Sequence, residues 1–191
     1  MTRIAGPYIL QIVGYKNRGK TTLIVHLTKR LKAAGFSVGT VKHDAHDFTM
    51  DTPETDTWKH QEAGADITAI SSSTRSAMIR NHPQPLNDLL GYMNDVDIIL
   101  VEGFKHERYP KLVLIRSEDD TSMLHELTSP LAAIVWPEAS HAAGLLRTGD
   151  QAFLNENGSQ GSMPLYDIHD IEGVAAFVFN HLHKHRKAVP L

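Results

Sequence analysis

Gly14-Tyr15-Lys16-Asn17-Arg18-Gly19-Lys20-Thr21 is where residue types and spacing specify chemistry most directly. The stretch fits G-x-x-x-x-G-K-[ST] without a mismatch. Its glycines let the backbone curl so that successive N–H groups point at phosphate oxygens. Lys20 can reach the β- and γ-phosphates of a nucleotide, and the Thr21 hydroxyl can ligate Mg²⁺. The run from Gly14 through Thr22 is therefore read as a nucleotide-phosphate site. Lys20 is its catalytic charge and Thr21 its first metal ligand.

A strand must deliver this loop and a helix must follow it. Tyr8-Ile9-Leu10-Gln11-Ile12-Val13 supplies the apolar, β-branched run before it, within a strand expected over 7–13. A helix is expected over 19–34, aiming its positive N-terminal end at the same phosphates. Gly35 stands where a helix-ending glycine belongs.

A second carboxylate-bearing strand should complete the metal site. Asp97-Ile98-Ile99-Leu100-Val101 is a continuous apolar run that ends in Glu102-Gly103. Such runs suit a parallel strand buried on both faces. Ligands bind beyond the carboxyl ends of parallel strands, which puts Glu102 near Thr21 and Asp97 at the far end. Glu102 is thus the second candidate metal ligand, and Gly103 would let backbone come close to a γ-phosphate.

Lys42-His43-Asp44-Ala45-His46-Asp47 follows a strand expected over 37–42. Asp44 could orient an attacking water or hold a water on Mg²⁺, and is a candidate catalytic residue beside Lys20. Lys42 could offset phosphate charge. The two histidines with Asp44 and Asp47 could instead form a transition-metal site, or the segment could be a polar loop, with Asp51 a weaker member. Lys105 and His106, just past the Glu102 strand, are candidate contacts for a partner or a pterin. His106 with Glu107 could also act as a general base. Arg75, Arg80, Trp58 and Trp136 read as solvated arginines and as core or interface anchors.

The remaining elements alternate in type. A short helix begins at Thr55 or Asp56 and runs through Ala63. Residues 67–71 and 76–80 form a pair of short strands, and 85–94 a helix. Strands follow at 111–116 and 131–136, with a short one at Leu165-Tyr166. Residues 138–162 are weakly patterned, with a loop at 158–162, and a last helix spans about 170–184. The expected fold class is α/β: a mostly parallel sheet flanked by helices, of P-loop NTPase type, with a small β extension. The 191 residues read as a single nucleotide-binding domain.

Composition narrows the function. A net charge of −3 carries no polyanion-binding signature, so nucleic acid is not an expected partner. The absence of cysteine excludes thiolate metal sites and a cysteine nucleophile, and fits a reducing, cytoplasmic setting. The apolar N-terminal run is too short to span a membrane and lacks a cleavage-type small-residue motif. The basic stretch from Asn180 to Lys187 suits a helix C-terminus.

Several segments together carry a family likeness. They are Gly14 to Thr22, Thr40 to Asp47, Glu62-Ala63-Gly64-Ala65, Ile99-Leu100-Val101-Glu102-Gly103-Phe104-Lys105-His106-Glu107, and Asp167 to Val174. On these residues the chain resembles the MobB family of molybdopterin-guanine dinucleotide biosynthesis adaptor proteins, over nearly its whole length. The resemblance implies a dimeric GTP-binding protein with weak GTPase activity. Such a protein would use GTP and Mg²⁺ and assist the guanylyltransferase that attaches GMP to molybdopterin. It also implies that Gly14 to Thr22 cradle the phosphates, that Thr21 and Glu102 serve Mg²⁺, and that Asp44 lies in the nucleotide-sensing loop.

Two departures stand out. Many related GTPases read guanine with Asn-Lys-x-Asp or Thr-Lys-x-Asp after a late strand, where this chain has Trp136-Pro137-Glu138-Ala139. Related dimeric ATPases carry a lysine directly after the first loop glycine, where this chain has Tyr15. The alternative is a small-molecule kinase using ATP or GTP, which would need an Arg-rich lid. The candidate lid, 138–162, carries only Arg147. A metallochaperone GTPase is a third class, disfavoured by the missing cysteines. Dimer contacts are expected where the short strands at 67–80 or 111–116 expose an edge.

Overall fold

Four apolar runs become the centre of one parallel sheet. They are β1 (Tyr8–Val13), β5 (Ile98–Glu102), β6 (Lys111–Ile115) and β7 (Pro130–Val135). Adding β2 (Val38–Lys42) and β10 (Leu165–Asp167) gives six strands in the order β10-β7-β6-β1-β5-β2, every neighbouring pair parallel. The computed structural model describes residues 6–44, 46–141, 153–154 and 160–187. Arg147 and most of the 138–162 segment lie outside them. Within that segment Phe153–Leu154 (β8) pairs antiparallel with Gln160–Gly161 (β9), so a two-residue strand occupies part of the expected 158–162 loop.

The described chain forms two compact units. Residues up to His43 and from Leu90 onward make the first, and Asp44–Leu89 the second. In the first, α1 (Lys20–Ala33) and α4 (Ile171–Lys187) pack on one sheet face. The pattern that makes this possible is helical on one side and alternating on the other. Leu23, Ile24, Leu27 and Leu31 of α1, and Val174, Val178 and Leu182 of α4, meet Leu10, Ile12, Ile98, Leu100, Leu112 and Leu114. On the other face, Val13, Val113, Ile115, Ala133 and Val135 pack with Met123 and Leu124. Those two residues belong to a 3-10 helix, Glu118–His125, which the sequence pattern had not marked.

Strand β6 lies between β1 and β7 and all five of its residues are buried. The expectation that 111–116 offers an exposed edge is therefore corrected: an apolar run this short is equally compatible with an edge or a centre, and pairing order decides.

The second unit is small and open. It holds α2 (Asp56–Glu62) and the hairpin β3 (Ile67–Ser71) with β4 (Ser76–Arg80). Thr55 caps α2, its Oγ1 accepting from the Trp58 N–H at 3.4 Å. Asp51 accepts from the Thr52 N–H at 2.8 Å and from Gln61 Nε2 at 2.8 Å, so it fastens the approach to α2. Hydrogen bonds led by that from Thr57 hold its carboxyl below the ordinary value. Ile67, Ile70 and Met78 are exposed on the hairpin. Helix α3 (Leu86–Gly91) is shorter than the 85–94 expected. Among the described residues no helix is long and apolar enough to cross a membrane.

Candidate nucleotide-phosphate site

The Gly14–Thr21 loop leaves β1 at the point where the strand order turns outward in both directions. Parallel sheets open a crevice for ligands at such a point. Two backbone conformations shape the loop: Asn17 sits at φ 61° and Gly19 at φ 91°. A Cβ on Gly19 would lie 3.2 Å from the Trp136 ring, so both the dihedral and the neighbour demand glycine. Helix α1 starts at Gly19 with no side-chain cap and no acidic residue in its first turn. The unpaired N–H groups of that turn make a place for an anion.

Lys20 folds back over the loop, its Nζ donating to the carbonyls of Gly14 at 3.0 Å and Tyr15 at 2.8 Å. Partial burial lowers its pKa from the ordinary lysine value; Glu102 opposes this, and Lys42 and Arg18 add to it. A cation already partly stripped of water and held by exchangeable carbonyl bonds is suited to receive phosphate oxygens.

Thr21 and Glu102 meet. Thr21 Oγ1 lies 2.9 Å from both Oε1 and Oε2 of Glu102, and the carboxylate is buried. Lys42 stands beside Glu102 in strand register, and the His43 N–H donates to the Glu102 carbonyl at 2.9 Å. Gly103 N–H donates to the Ile12 carbonyl at 3.1 Å, so it is directed into the sheet and away from the loop.

The segment after Glu102 is pinned from beneath by two buried polar residues that sequence reasoning did not single out. Gln11 Nε2 donates to the carbonyls of Gly103 at 3.0 Å and Phe104 at 2.7 Å. Lys111, in register with Gln11, donates from Nζ to the carbonyls of Glu107 and Tyr109. Burial pushes the Lys111 ammonium down to about 8, against the pull of Glu107. This fixes the backbone carrying Lys105 and His106. Lys105 pairs with Glu126 at 3.6 Å, and His106 is exposed.

A second group missed in the sequence holds the loop from the β6–β7 side. Arg18 makes two hydrogen bonds to Asp120, at 2.7 and 3.0 Å, which direct its guanidinium onto the 3-10 helix. Asp120 is buried and also accepts from the N–H groups of Arg116 at 2.8 Å and Ser117 at 3.2 Å. Burial alone would raise the Asp120 carboxyl, but these bonds, led by Arg18, hold it below its ordinary value. Trp136 Nε1 donates to the Arg18 carbonyl at 2.9 Å, and Arg116 donates to the Asn17 carbonyl at 3.3 Å. The only sequence signal for this group is the acidic triplet Glu118-Asp119-Asp120, which does not say which carboxylate turns inward.

Asp44 opens the second unit, where its carboxylate accepts from the His46 N–H at 3.2 Å. Among the described residues no group of three or more His, Asp and Glu side chains is arranged to hold a metal ion.

Residues 9–136 match the family described as MobB, molybdopterin guanine dinucleotide synthesis protein B. The chain is 32% identical to the molybdopterin-guanine dinucleotide biosynthesis adapter protein of Escherichia coli K12 over 182 residues, 92% of this chain and 94% of that one. It is 32% identical to the protein of the same description from Haemophilus influenzae over 179 residues, 92% and 89% of the two chains. Among solved structures, a MobB homolog from Bacillus stearothermophilus superposes with a TM-score of 0.67 at 27% identity, covering 92% of this chain and 98% of that one. Bacillus subtilis MobB gives 0.65 at 25% identity, covering 91% and 96%.

Proposed function

Because this chain belongs to the molybdopterin guanine dinucleotide synthesis protein B family, we propose that it is an adaptor in molybdopterin guanine dinucleotide biosynthesis. It binds GTP at Gly14–Thr22, hydrolyses it weakly, and assists the guanylyltransferase that joins GMP to molybdopterin. The observation that carries this reading is the approach of Thr21 to Glu102 beside an uncapped, acid-free helix start. An exposed hydroxyl and a buried carboxylate are the hard oxygen donors Mg²⁺ prefers, so Thr21 and Glu102 would hold it. When bound, Mg²⁺ neutralises charge on the β- and γ-phosphate oxygens.

The chain's own residues do the rest. Lys20 leaves the Gly14 and Tyr15 carbonyls for phosphate oxygens, so its charge is attracted most when negative charge builds up there. Asp44 orients the attacking water in a nucleotide-sensing loop. Arg18 stays on Asp120 and positions the loop without touching phosphate. No arginine of the described loop faces the transferring group, which supports slow hydrolysis. Lys105 and His106, on backbone fixed by Gln11 and Lys111, contact the partner enzyme or the pterin. The exposed apolar residues of the β3–β4 hairpin support self-association as a dimer. The setting is the cytoplasm.

Co-purification with a molybdenum-cofactor guanylyltransferase, followed by assay of GMP attachment with and without this chain, tests the assignment. Stimulation by wild type that is lost with Lys20→Ala is the expected result. ATP-dependent phosphorylation of a small acceptor, with no effect on GMP attachment, would support the kinase instead.

A further inference from the structure

The two flanks of the Gly14–Thr21 loop touch different sides of the sheet. Its metal-side pair, Thr21 and Glu102, lies toward β5. Its other flank, Asn17-Arg18-Gly19, touches residues that follow β6 and β7. β5 and β6 lie on opposite sides of β1. A triphosphate with its terminal phosphate at Thr21 and its chain running along the loop would carry its ribose and base away from β5, toward the carboxyl ends of β6 and β7.

A planar cation waits there. The Arg116 guanidinium carbon lies over the Trp136 ring, 4.5 Å from its centroid, and the Arg116 side chain is 42% exposed. Trp136 is itself fixed by its bond to Arg18, by its contact with Gly19 and by the edge of His169, whose ring centroid is 5.9 Å away. A guanidinium held over an aromatic ring can in turn take a nucleobase against it. Beside it Glu138, 60% exposed, pairs with Arg116 only at the long distance of 3.9 Å. A carboxylate accepts two parallel donors. Guanine presents such a pair, N1–H and N2–H₂; adenine presents one donor next to an acceptor.

We infer that the Trp136–Arg116 stack receives the nucleobase and that Glu138 reads guanine through its two donors. This inference rests on the nucleotide reading above and adds the residues that select the base.

The test measures binding of Mg²⁺ complexes of GTP, XTP, ATP and inorganic tripolyphosphate to the full chain, its Glu138→Gln variant and its Arg116→Ala variant. Wild type should prefer GTP to XTP and ATP by at least tenfold. Xanthine carries a carbonyl where guanine has its amino group, so Glu138→Gln, which offers an N–H donor, should lower GTP affinity at least tenfold and raise that of XTP. Arg116→Ala should weaken all three nucleosides while tripolyphosphate reports the loop alone. An unchanged GTP-to-XTP ratio in Glu138→Gln, with tripolyphosphate bound as in wild type, would overturn the base site and leave the phosphate site standing. Failure of wild type to bind both GTP and tripolyphosphate would overturn the nucleotide reading, and this inference with it.

Discussion

Thr21 Oγ1 lies 2.9 Å from each carboxylate oxygen of Glu102, across 81 residues of sequence. The contact joins the first turn of α1 to the end of β5, two elements that meet only because β5 pairs with β1. It sets a buried carboxylate beside the Gly14–Thr21 loop.

Glu102→Gln keeps an oxygen for the Thr21 hydroxyl and removes the negative charge. GTP affinity in the presence of Mg²⁺ should fall at least tenfold, about 1.4 kcal/mol, while affinity in EDTA changes little. Calorimetric titration under both conditions checks this. An equal loss with and without Mg²⁺ would count against a metal role for Glu102.

Asp120→Asn leaves Arg18 facing a neutral amide in a buried place. Breaking one partner of such a pair is expected to destabilise the fold by roughly 3 kcal/mol. Solvent screens the partly exposed Arg18, so the loss falls below that of a fully buried pair. Urea unfolding measures the loss. The double variant Arg18→Met, Asp120→Asn, which keeps an oxygen for the Arg116 and Ser117 N–H groups, should recover part of that stability while GTP affinity stays low, because the loop has lost its fastening.

Lys111 predicts a pH dependence. Its folded pKa of about 8 lies below the ordinary lysine value, so between pH 8 and about 10.4 the unfolded chain binds more protons than the folded one. Stability must therefore rise with pH across that window; the burial penalty is largest below pH 8 and is relieved above it. Unfolding free energies at pH 7 to 10 should show wild type gaining on Lys111→Met. Parallel curves would contradict the buried charge.

Gly19→Ala places a methyl group 3.2 Å from Trp136 at φ 91°. Backbone strain of order 1–3 kcal/mol should appear in thermal unfolding, together with a shift in Trp136 fluorescence.

The phosphate loop and Glu102 were legible in the sequence because each is announced by its own strand: a β-branched run ends, and a chemically distinctive residue follows. Asp120 was not, and Trp136 could be read only as a core or interface anchor, because their contacts to Arg18 and Gly19 join residues more than a hundred positions apart. Lys111 resembled an ordinary strand-entry lysine, since nothing local reveals that loop carbonyls fold over it. The interior place of β6 depended on pairing order, which a short apolar run does not encode.

The central claim is that Gly14–Thr22 binds nucleotide phosphates through Lys20. Calorimetric titration of Mg²⁺ complexes of GTP, GDP and ATP into wild type and Lys20→Ala tests it most directly. GTP should bind more tightly than ATP in wild type, and lose at least tenfold in the variant. Equal GTP affinity in the two folded proteins would contradict it.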